Sequence, residues 1–479
     1  MPLPKAKNNS FFSNSFFIFI IRFFPSLANL LVMIWYSKHL SADTYGNYQH
    51  FWIQLLVFYP IACFGIHVLI VTYSRGFILN LAGKINAKYY ALYALWVIIT
   101  GVVFAVMQCY SLNVPPAIPF FFLLSYSLSF ILESVLIVFR NFRSLVVINI
   151  LYATAYCAIH WYALGHGFSL QALFTYLLGI TILRSGIYCV IAIIDAKRIP
   201  PDNNEAYELT NIRSLWLHLG VYDIVQILST YIDKFIISIV LTAGLSAIYY
   251  NGSQNIPFLP LLLSVAGTSV LIQLARNDKG DGTENMIQLM NQSGRVLSCI
   301  VFPVFFYLLF FRYELIITLF SEKYIPAVPV FFASVLVLPV RAYSFTTMLQ
   351  KMHKGAIINI GAISELILAC MLMYPLYKWI GLSGVALSFV ITTYLQAAFY
   401  LYHSARVLKT SPLKLIPYVN WFIKLIVFST LFIFIHYAFS QYFTGKITLI
   451  LGGVMMVIAI ICSLWIELQK QSKDVSTRS

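Results

Sequence analysis

The stretch that decides the fold is LWLHLGVYDIVQILSTYIDKFIISIVLTAGLSAIYYNGSQNIPFLPLLLSVAGTSVLIQLAR, residues 215–276. It contains two apolar segments, 215–241 and 247–274, which are joined by the short turn TAGLS at 242–246. Each segment is longer than the about 20 helical residues that cross the ~30 Å hydrocarbon layer of a bilayer. The stretch therefore predicts two transmembrane helices connected by a tight turn.

Polar residues and prolines interrupt these two segments. The first contains four polar side chains: Asp223, Gln226, Asp233 and Lys234. Because such groups are costly in hydrocarbon, we expect them to face a protein interior or a water-filled cavity. The second segment contains Pro257 and Pro260, each of which removes a backbone donor and bends the helix. The combination predicts the wall of a gated cavity, with Pro257 and Pro260 as its hinge.

Composition places almost the whole chain in a membrane. Of the 479 residues, 60% are hydrophobic and 10% are charged, and the mean hydropathy is +0.83, whereas ordinary soluble domains carry about 25% charged residues. The net charge of +15 comes without a basic run or a base-stacking module, so nucleic acid is not an expected partner. The seven cysteines form no CxxC pair and the nine histidines no HxxxH or HExxH motif. We therefore expect no disulfide, metal site or cofactor.

Runs of about 20 apolar residues give fourteen predicted transmembrane helices, here called spans 1 to 14. They are 15–36, 49–72, 89–111, 117–139, 145–164, 170–193, 215–241, 247–274, 287–310, 328–350, 356–377, 381–403, 419–440 and 446–468. Span 1 is longer than the about 7–15 residues of a signal peptide's apolar region and ends without a small-residue cleavage site, so we expect it to be retained. The connectors are too short to hold an extramembrane domain.

The distribution of lysine and arginine predicts the orientation of the chain. With the N-terminus in the cytoplasm, the cytoplasmic segments hold 20 of these residues and the outer segments hold five: Lys38, Arg312, Lys323, Lys378 and Lys446. Cytoplasmic loops of membrane proteins carry the excess of positive charge. Both termini are therefore predicted to lie in the cytoplasm.

The longest polar connector separates two predicted halves of the chain. The predicted domains are a six-helix lobe at 1–194, a cytoplasmic linker at 195–214, a second six-helix lobe at 215–403, and helices 13 and 14 with a cytoplasmic tail at 404–479. A faint repeat supports this division, because 40–75 matches 241–276 and aligns Tyr48 with Tyr249. An offset of six helices preserves orientation, so we expect a parallel repeat about an axis along the membrane normal.

Cations within spans are the main chemical signal, and five of them are candidates for an anion site in a cavity: Arg22, Arg184, Arg295, Arg341 and Lys234. A buried arginine without a partner costs about 2.5–3.5 kcal/mol on insertion scales. The guanidinium group matches phosphate oxygens with two parallel hydrogen bonds. For Arg295, snorkelling to the interface is an equally good interpretation, and for Lys424 it is the expected one.

Four carboxylates within spans are the counterpart of these cations: Glu133, Asp223, Asp233 and Glu365. They are candidates either for pairing with arginines across helices or for coupling to an ion. Asp233 and Lys234 are not expected to pair with each other, because residues one apart do not face each other on a helix. Pro25 follows Arg22 closely and predicts a further hinge, which would present the Arg22 side chain to the lumen.

Three short motifs carry a family resemblance. They are YIDKFIIS at 231–238, LTAGLSAIYY at 241–250, and LSADTYGNY at 40–48, whose Tyr-Gly-x-Tyr core resembles the entry to a family's second helix. The chain resembles the polysaccharide-transport branch of the MOP exporter superfamily, which includes the Wzx-like O-antigen flippases. The resemblance implies an all-α polytopic membrane protein of MATE-like architecture, with two six-helix lobes around a cationic cavity. Related lipid flippases place a functional arginine in the first helix, and Arg22 is the matching candidate.

The resemblance also implies a substrate and a location. The expected activity is translocation of an undecaprenyl-pyrophosphate-linked oligosaccharide, an O-antigen or another surface-polysaccharide repeat unit, from the cytoplasmic to the periplasmic leaflet of the bacterial inner membrane. A glycan polymerase of the same pathway is a possible partner. The alternatives are a peptidoglycan-precursor flippase and a multidrug or cation antiporter of the same superfamily, whose cationic substrates a cationic lumen disfavours. A glycan polymerase or ligase typically carries a sizeable periplasmic loop, so an enzyme is not expected.

Overall fold

The computed structural model describes residues 8–112, 114–198, 209–253, 283–352 and 354–476. Throughout these ranges the regular structure is helical, with no strand. Eleven of the described helices are long and apolar enough to cross a membrane, or twelve when a bent pair is counted as one span. The prediction of an all-α polytopic membrane protein is confirmed.

The chain divides into two compact units, Met1–Ala247 and Ile248–Ser479. The helices that lie wholly in the first unit are α1 (Asn8–His39), α2 (Ala42–Cys63), α3 (Ile66–Thr72), α4 (Arg75–Lys84), α5 (Ala87–Leu112), α6 (Ala117–Val138), α7 (Phe142–Gly165), α8 (Leu170–Arg198) and α9 (Leu209–Val240), and α10 (Ala243–Gly252) follows them. Within this unit α1 packs on α7, α6 packs on α8, and α2 packs on α9. Helix α9 is span 7, so span 7 packs within the first unit. The predicted lobes at 1–194 and 215–403 stay a prediction.

The second unit contains the remaining described helices. They are α11 (Thr283–Phe310), α12 (Arg312–Phe320), α13 (Val328–Val335), α14 (Thr347–Lys351), α15 (Gly355–Ile380), α16 (Leu382–Val407), α17 (Pro412–Leu415), α18 (Tyr418–Tyr442) and α19 (Gly445–Ser476). The long antiparallel pair α15 and α16 has the most extensive contact, and α11 packs against both α18 and α19. Helices α18 and α19, which are spans 13 and 14, therefore belong to the second unit.

Two of the predicted spans are broken in the structure. Span 2 consists of α2 and α3, which are bent by 57° with respect to each other. Span 10, predicted at 328–350, is interrupted after α13 and passes through a short 3-10 segment at Pro339–Ala342. Pro339 supplies no backbone donor to the preceding turn, which is why an α-helix does not continue through it.

The other predicted spans agree with the helices where the chain is described. Helix α9 is 32 residues long and long enough to cross a bilayer, but it contains Asp223, Asp233 and Lys234 and is not among the eleven helices above. Most of span 8, with Pro257 and Pro260, lies outside the described residues. Helix α1 runs through Pro25 as one element, so Pro25 as a hinge stays a prediction.

Glycines let span 2 approach α9 and the start of α10 closely. A Cβ atom added at Gly46 would overlap the backbone carbonyl of Ala243. Near the other end of the same pair, a Cβ at Gly65 would lie 2.6 Å from the Cα of Gly220. Between these points Gln54 of α2 donates a hydrogen bond from Nε2 to the Ser238 hydroxyl of α9 at 3.1 Å. Span 2 therefore packs closely on α9 and the start of α10 near both of its ends.

Candidate functional site

A polar stripe on α1 surrounds the first candidate cation. Arg22, Ser26 and Asn29 are all exposed, and their spacing of four and three residues places them on one face of the helix. The Ser26 hydroxyl donates to the Arg22 carbonyl at 2.8 Å. The neighbouring face is buried through Ile21 and Ala28. An exposed polar stripe at this depth is costly against lipid, so it is the kind of surface that lines a wet cavity.

A second polar stripe lies on α9 and carries no charge. Tyr222, Gln226 and Thr230 are exposed and recur every four residues, again on one face. The Gln226 amide donates to the Tyr222 hydroxyl at 3.2 Å, and the Thr230 hydroxyl donates to the Gln226 carbonyl at 2.9 Å. Of these three residues, sequence reasoning identified Gln226 alone. The four-residue spacing of Tyr222 and Thr230 around it was the signal that would have found the stripe.

Arg184 does not present a free cation. Its guanidinium donates to Glu133 at 2.9 Å, and the two side chains are 12% and 10% exposed. The rings of Tyr152 and Tyr188 lie 4.6 and 5.2 Å from the guanidinium carbon. The Tyr188 hydroxyl accepts a further bond from Arg184 at 3.3 Å and one from Asn149 at 2.9 Å. The structure thus brings Arg184 of α8 and Glu133 of α6 together as an ion pair flanked by two tyrosine rings.

Asp233 and Lys234 form an ion pair at 3.1 Å, with side chains 8% and 10% exposed. The expectation that they do not pair is wrong. The lysine stem is long and flexible, so its ammonium group reaches back to the carboxylate of the preceding residue although the two Cβ atoms diverge. Burial makes this contact stronger than it would be in water. Lys234 is consequently neutralised by its neighbour.

The remaining candidate carboxylates have partners other than arginine or lysine. Asp223 lies 3.5 Å from His67 of α3. In the second unit, Glu365 of α15 accepts hydrogen bonds from the Thr393 hydroxyl at 2.8 Å and the Gln396 amide at 2.6 Å, both from α16. The sequence placed Asp223 and Glu365 as candidates for arginine pairing, and within the described ranges neither is in an ion pair with an arginine.

Two candidate cations lie in the second unit. Arg295 is exposed on α11, and Arg341 is half-buried in the 3-10 segment of the broken span 10. None of the ion pairs in the described part of the chain involves either of them. Arg341 nonetheless interacts electrostatically with Glu365 of α15, so its charge is partly balanced.

The Lys424 side chain is 12% exposed and points to partners within the second unit, which contradicts the expectation that it snorkels to the interface. Its ammonium group donates to Glu467 at 3.1 Å, to the Ser298 hydroxyl at 3.0 Å and to the Arg295 carbonyl at 2.7 Å. The contact joins α18 to both α19 and α11. Glu467, close to the end of span 14, was the sequence signal for this pair, since a carboxylate in an apolar run needs a partner.

Another contact fixes the end of span 13 to the connector after span 9. His436 Nε2 lies 3.0 Å from a carboxylate oxygen of Glu314. Burial by itself would raise the pKa of the Glu314 carboxyl, but the hydrogen bond to His436 and the charges of His436 and Arg312 outweigh it, so the pKa lies below its usual value. Within the described residues, no group of three or more His, Cys, Asp or Glu side chains is arranged to hold a metal ion.

Comparison with known proteins gives one family and several similar folds. Residues 84–329, just over half of the chain, match the family described as "Polysaccharide biosynthesis protein". A search of curated protein sequences gives no significant match.

Among solved structures, the lipid II flippase MurJ in an inward closed conformation has a TM-score of 0.64 and 14% identity, covering 95% of this chain and 98% of that one. An inward-facing multidrug resistance MATE family transporter of the MOP superfamily has a TM-score of 0.57 and 13% identity, covering 80% and 94%. A MOP superfamily transporter from Pyrococcus furiosus, whose binding pocket is described as having reverse polarity, has a TM-score of 0.55 and 13% identity, covering 83% and 95%. At these identities the likeness shows a shared MATE-like fold.

Proposed function

The chain belongs to the polysaccharide biosynthesis protein family, and on this premise we propose that it is a flippase for a lipid-linked oligosaccharide. The proposed substrate is an undecaprenyl-pyrophosphate-linked repeat unit of an O-antigen or another surface polysaccharide. The proposed movement is from the cytoplasmic to the periplasmic leaflet by alternating access. The protein would act as a transporter and not as an enzyme.

The observation that carries the proposal is the exposed stripe of Arg22, Ser26 and Asn29 on α1. A lipid-linked sugar must bring a charged pyrophosphate through hydrocarbon, and a guanidinium group binds phosphate oxygens with two parallel hydrogen bonds. The Asn29 amide beside Arg22 adds a further donor, and the Ser26 hydroxyl, which donates to the Arg22 carbonyl, can still accept a bond. Arg295 and Arg341 are proposed as cations of the same kind in the second unit, whereas Arg184 and Lys234 are proposed to hold Glu133 and Asp233 in place.

The uncharged stripe on α9 suits the glycan. The Gln226 amide both donates and accepts hydrogen bonds, as sugar hydroxyls require, and Tyr222 adds an aromatic face with a polar tip. From Tyr222 to Thr230 the stripe rises by about 12 Å at 1.5 Å per residue. We assign the pyrophosphate to the arginine stripe and the sugars to this one.

The charge distribution along the chain supports a location for this activity. We place the protein in the bacterial inner membrane with both termini in the cytoplasm, because the predicted cytoplasmic segments hold most of the lysines and arginines. A glycan polymerase that consumes the flipped substrate is the proposed functional partner. Pro257 and Pro260 of span 8 are proposed as a hinge that bends when the cavity changes its open side.

The experiment that tests the proposal compares Arg22→Ala and Arg22→Lys in cells that lack the chromosomal copy. Surface glycan and membrane-protein level are measured together. Arg22→Ala should abolish surface glycan at near-normal protein level, and Arg22→Lys should rescue only part, since a point charge does not reproduce the guanidinium fork. Arg143→Ala, which removes an exposed arginine outside the spans, is the matched control and should export normally. Normal export by Arg22→Ala would refute the assignment.

The second candidate function is flipping of a peptidoglycan precursor, favoured by the fold shared with the lipid II flippase over 95% of the chain. Proteoliposomes loaded either with lipid II or with an undecaprenyl-pyrophosphate oligosaccharide separate the two. If lipid II is flipped faster than the oligosaccharide, the proposed substrate is wrong and the peptidoglycan precursor takes its place. A multidrug or cation antiporter is disfavoured, because exposed arginines repel cationic substrates.

A further inference from the structure

The break in span 2 is a strained joint. Helix α2 ends at Cys63 and α3 begins at Ile66, and the two residues between them, Phe64 and Gly65, have φ values of 43° and 69°. Glycine adopts this left-handed conformation freely, but for a phenylalanine it costs of order 1–3 kcal/mol. Such a conformation persists where the surroundings impose it, and strain of this kind concentrates at functional sites.

Side chains from two other helices hold the joint. The carbonyls of residues 61, 62 and 64 accept hydrogen bonds from side chains: from Trp96 Nε1 at 2.8 Å, from the Tyr93 hydroxyl at 3.1 Å, and from Trp216 Nε1 at 2.8 Å, respectively. Trp96 and Tyr93 belong to α5, and Trp216 belongs to α9. Because backbone groups freed within a membrane need partners, these bonds show that the break is a fixed part of the fold and not a frayed helix end.

His67 lies on α3 directly after this joint and faces α9. Its Nε2 atom is 3.5 Å from Oδ1 of Asp223, and the two side chains are 13% and 14% exposed. The ring also packs on Phe130 of α6, with centroids 4.6 Å apart. The outer atoms of the pair, His67 Nδ1 and Asp223 Oδ2, are both buried and have no hydrogen-bond partner.

These two unpaired atoms indicate that the site lacks a hydrogen-bond donor or a cation. The 3.5 Å contact between Nε2 and Asp223 Oδ1 is too long for a good hydrogen bond. With the ring proton on Nε2, which faces Asp223, Nδ1 is an unpaired acceptor and Asp223 Oδ2 is a second one. Two buried acceptors beside one negative charge are unfavourable without a donor or a cation. Histidine is the side chain that most readily takes up a proton between pH 5 and 8.

We propose that His67 and Asp223 form a proton-binding site that controls the joint in span 2. A proton taken up at Nδ1 converts the imidazole to imidazolium, and the pair becomes an ion pair. Charge-assisted hydrogen bonds are about 2.7–2.9 Å long and roughly twice as strong as neutral ones, so protonation draws α3 onto α9. Loss of the proton releases α3 from α9. The site goes beyond the proposed transport function, because it does not depend on what crosses the membrane.

The other ionisable groups around the pair do not compete for this proton. They are Tyr126 and Glu133 of α6, Tyr59 and Cys63 of α2, and Tyr231 of α9. Glu133 is neutralised by Arg184, and tyrosine and cysteine side chains ordinarily stay protonated between pH 5.5 and about 7.5. None of these surrounding groups is therefore expected to take up or release a proton in this range.

Hydrogen–deuterium exchange on the full-length protein in lipid nanodiscs, without substrate, tests the proposal. Peptides that cover residues 66–72 are compared at pH 5.5 and 7.5, after correction for the intrinsic pH dependence of exchange. In the wild type we expect about threefold to tenfold slower exchange at pH 5.5, because a charge-assisted hydrogen bond is roughly twice as strong as a neutral one. In the His67→Gln and Asp223→Asn variants, the corrected exchange rate of these peptides should be the same at both pH values.

Two further variants complete the test. His166→Gln removes an exposed histidine that bonds only within its own helix, to the Tyr162 carbonyl, and should keep the wild-type response. The exchanged pair His67→Asp with Asp223→His should restore the pH response that each single variant loses. Exchange of α8 peptides reports whether a variant is folded. A wild type without a pH difference, or a response that survives in a folded His67→Gln, would overturn the proposal.

Discussion

The ion pair of Arg184 and Glu133 offers a test that separates a structural cation from a substrate-binding one. Removing one partner of a buried pair leaves the other charge uncompensated, which costs about 3–5 kcal/mol. Glu133→Leu should approach this value, because the guanidinium does not lose its proton. Arg184→Met should cost less at low pH than at high pH, since the carboxyl left behind can take up a proton.

The two tyrosine rings add a second contribution to the stability that Arg184→Met loses. Two rings lie within 6 Å of the guanidinium carbon, and each cation–π contact contributes about 0.5–1 kcal/mol or more when desolvated. Arg184→Met loses these contacts, and Glu133→Leu keeps them. The double variant Arg184→Met with Glu133→Leu replaces the pair with apolar groups of similar volume and should be close to neutral. The double variant should therefore cost far less than the sum of the two single variants, which in a double-mutant cycle marks two directly coupled sites.

The assay is thermal unfolding in one detergent, followed by intrinsic fluorescence, together with surface-glycan export in cells. Both single variants should melt well below the wild type, and the double variant should recover most of the loss. Export should follow the amount of folded protein. Additive small losses in melting temperature would refute the structural role. Loss of export in a fully stable Arg184→Met protein would instead place Arg184 among the substrate-binding cations.

Three other predictions follow from the fold. Reporter fusions after Lys354 should report cytoplasm and those after Lys323 periplasm, and the reverse result would invert the proposed orientation. Gly46→Val should lower the melting temperature sharply because its side chain would overlap Ala243, whereas Gly83→Val, where a Cβ meets open space, is the control. Glu314 has a lowered folded-state pKa, so its stabilisation is present at neutral pH and lost as pH falls through that pKa. The acid-induced fall in melting temperature should be smaller in Glu314→Gln, and an equal fall would contradict this.

Hydrophobic runs alone predicted the all-helical membrane fold, because crossing a bilayer imposes a length on each helix that is independent of its partners. The same reasoning missed the joint in span 2. Phe64 and Gly65 lie within an apolar run, and a left-handed phenylalanine carries no sequence signal. The joint is imposed by Trp96 and Trp216, which are distant in sequence and whose contacts appear only when the helices pack.

The pairing of charges was the least predictable part of the candidate site. A helix rule that considers Cβ directions excluded a contact between Asp233 and Lys234, yet a flexible side chain in a buried position makes it. For Lys424 the rule of interfacial snorkelling failed because Glu467 supplies a buried partner. The exposure of Arg22 could not be read from the sequence either, since helical spacing gives the faces of α1 but not which of them is covered.

The glycine-lined contact of span 2 with α9 and the start of α10 bears on how a polyprenyl chain is handled. An isoprenoid tail is several ångströms wide, and at Gly46 and again at Gly65 there is no room even for one methyl group. A tail that stays in the bilayer while its headgroup crosses the protein cannot slide through this seam. Within the first unit, the tail of any lipid-linked substrate must therefore follow another path, because this contact is packed too closely to admit it.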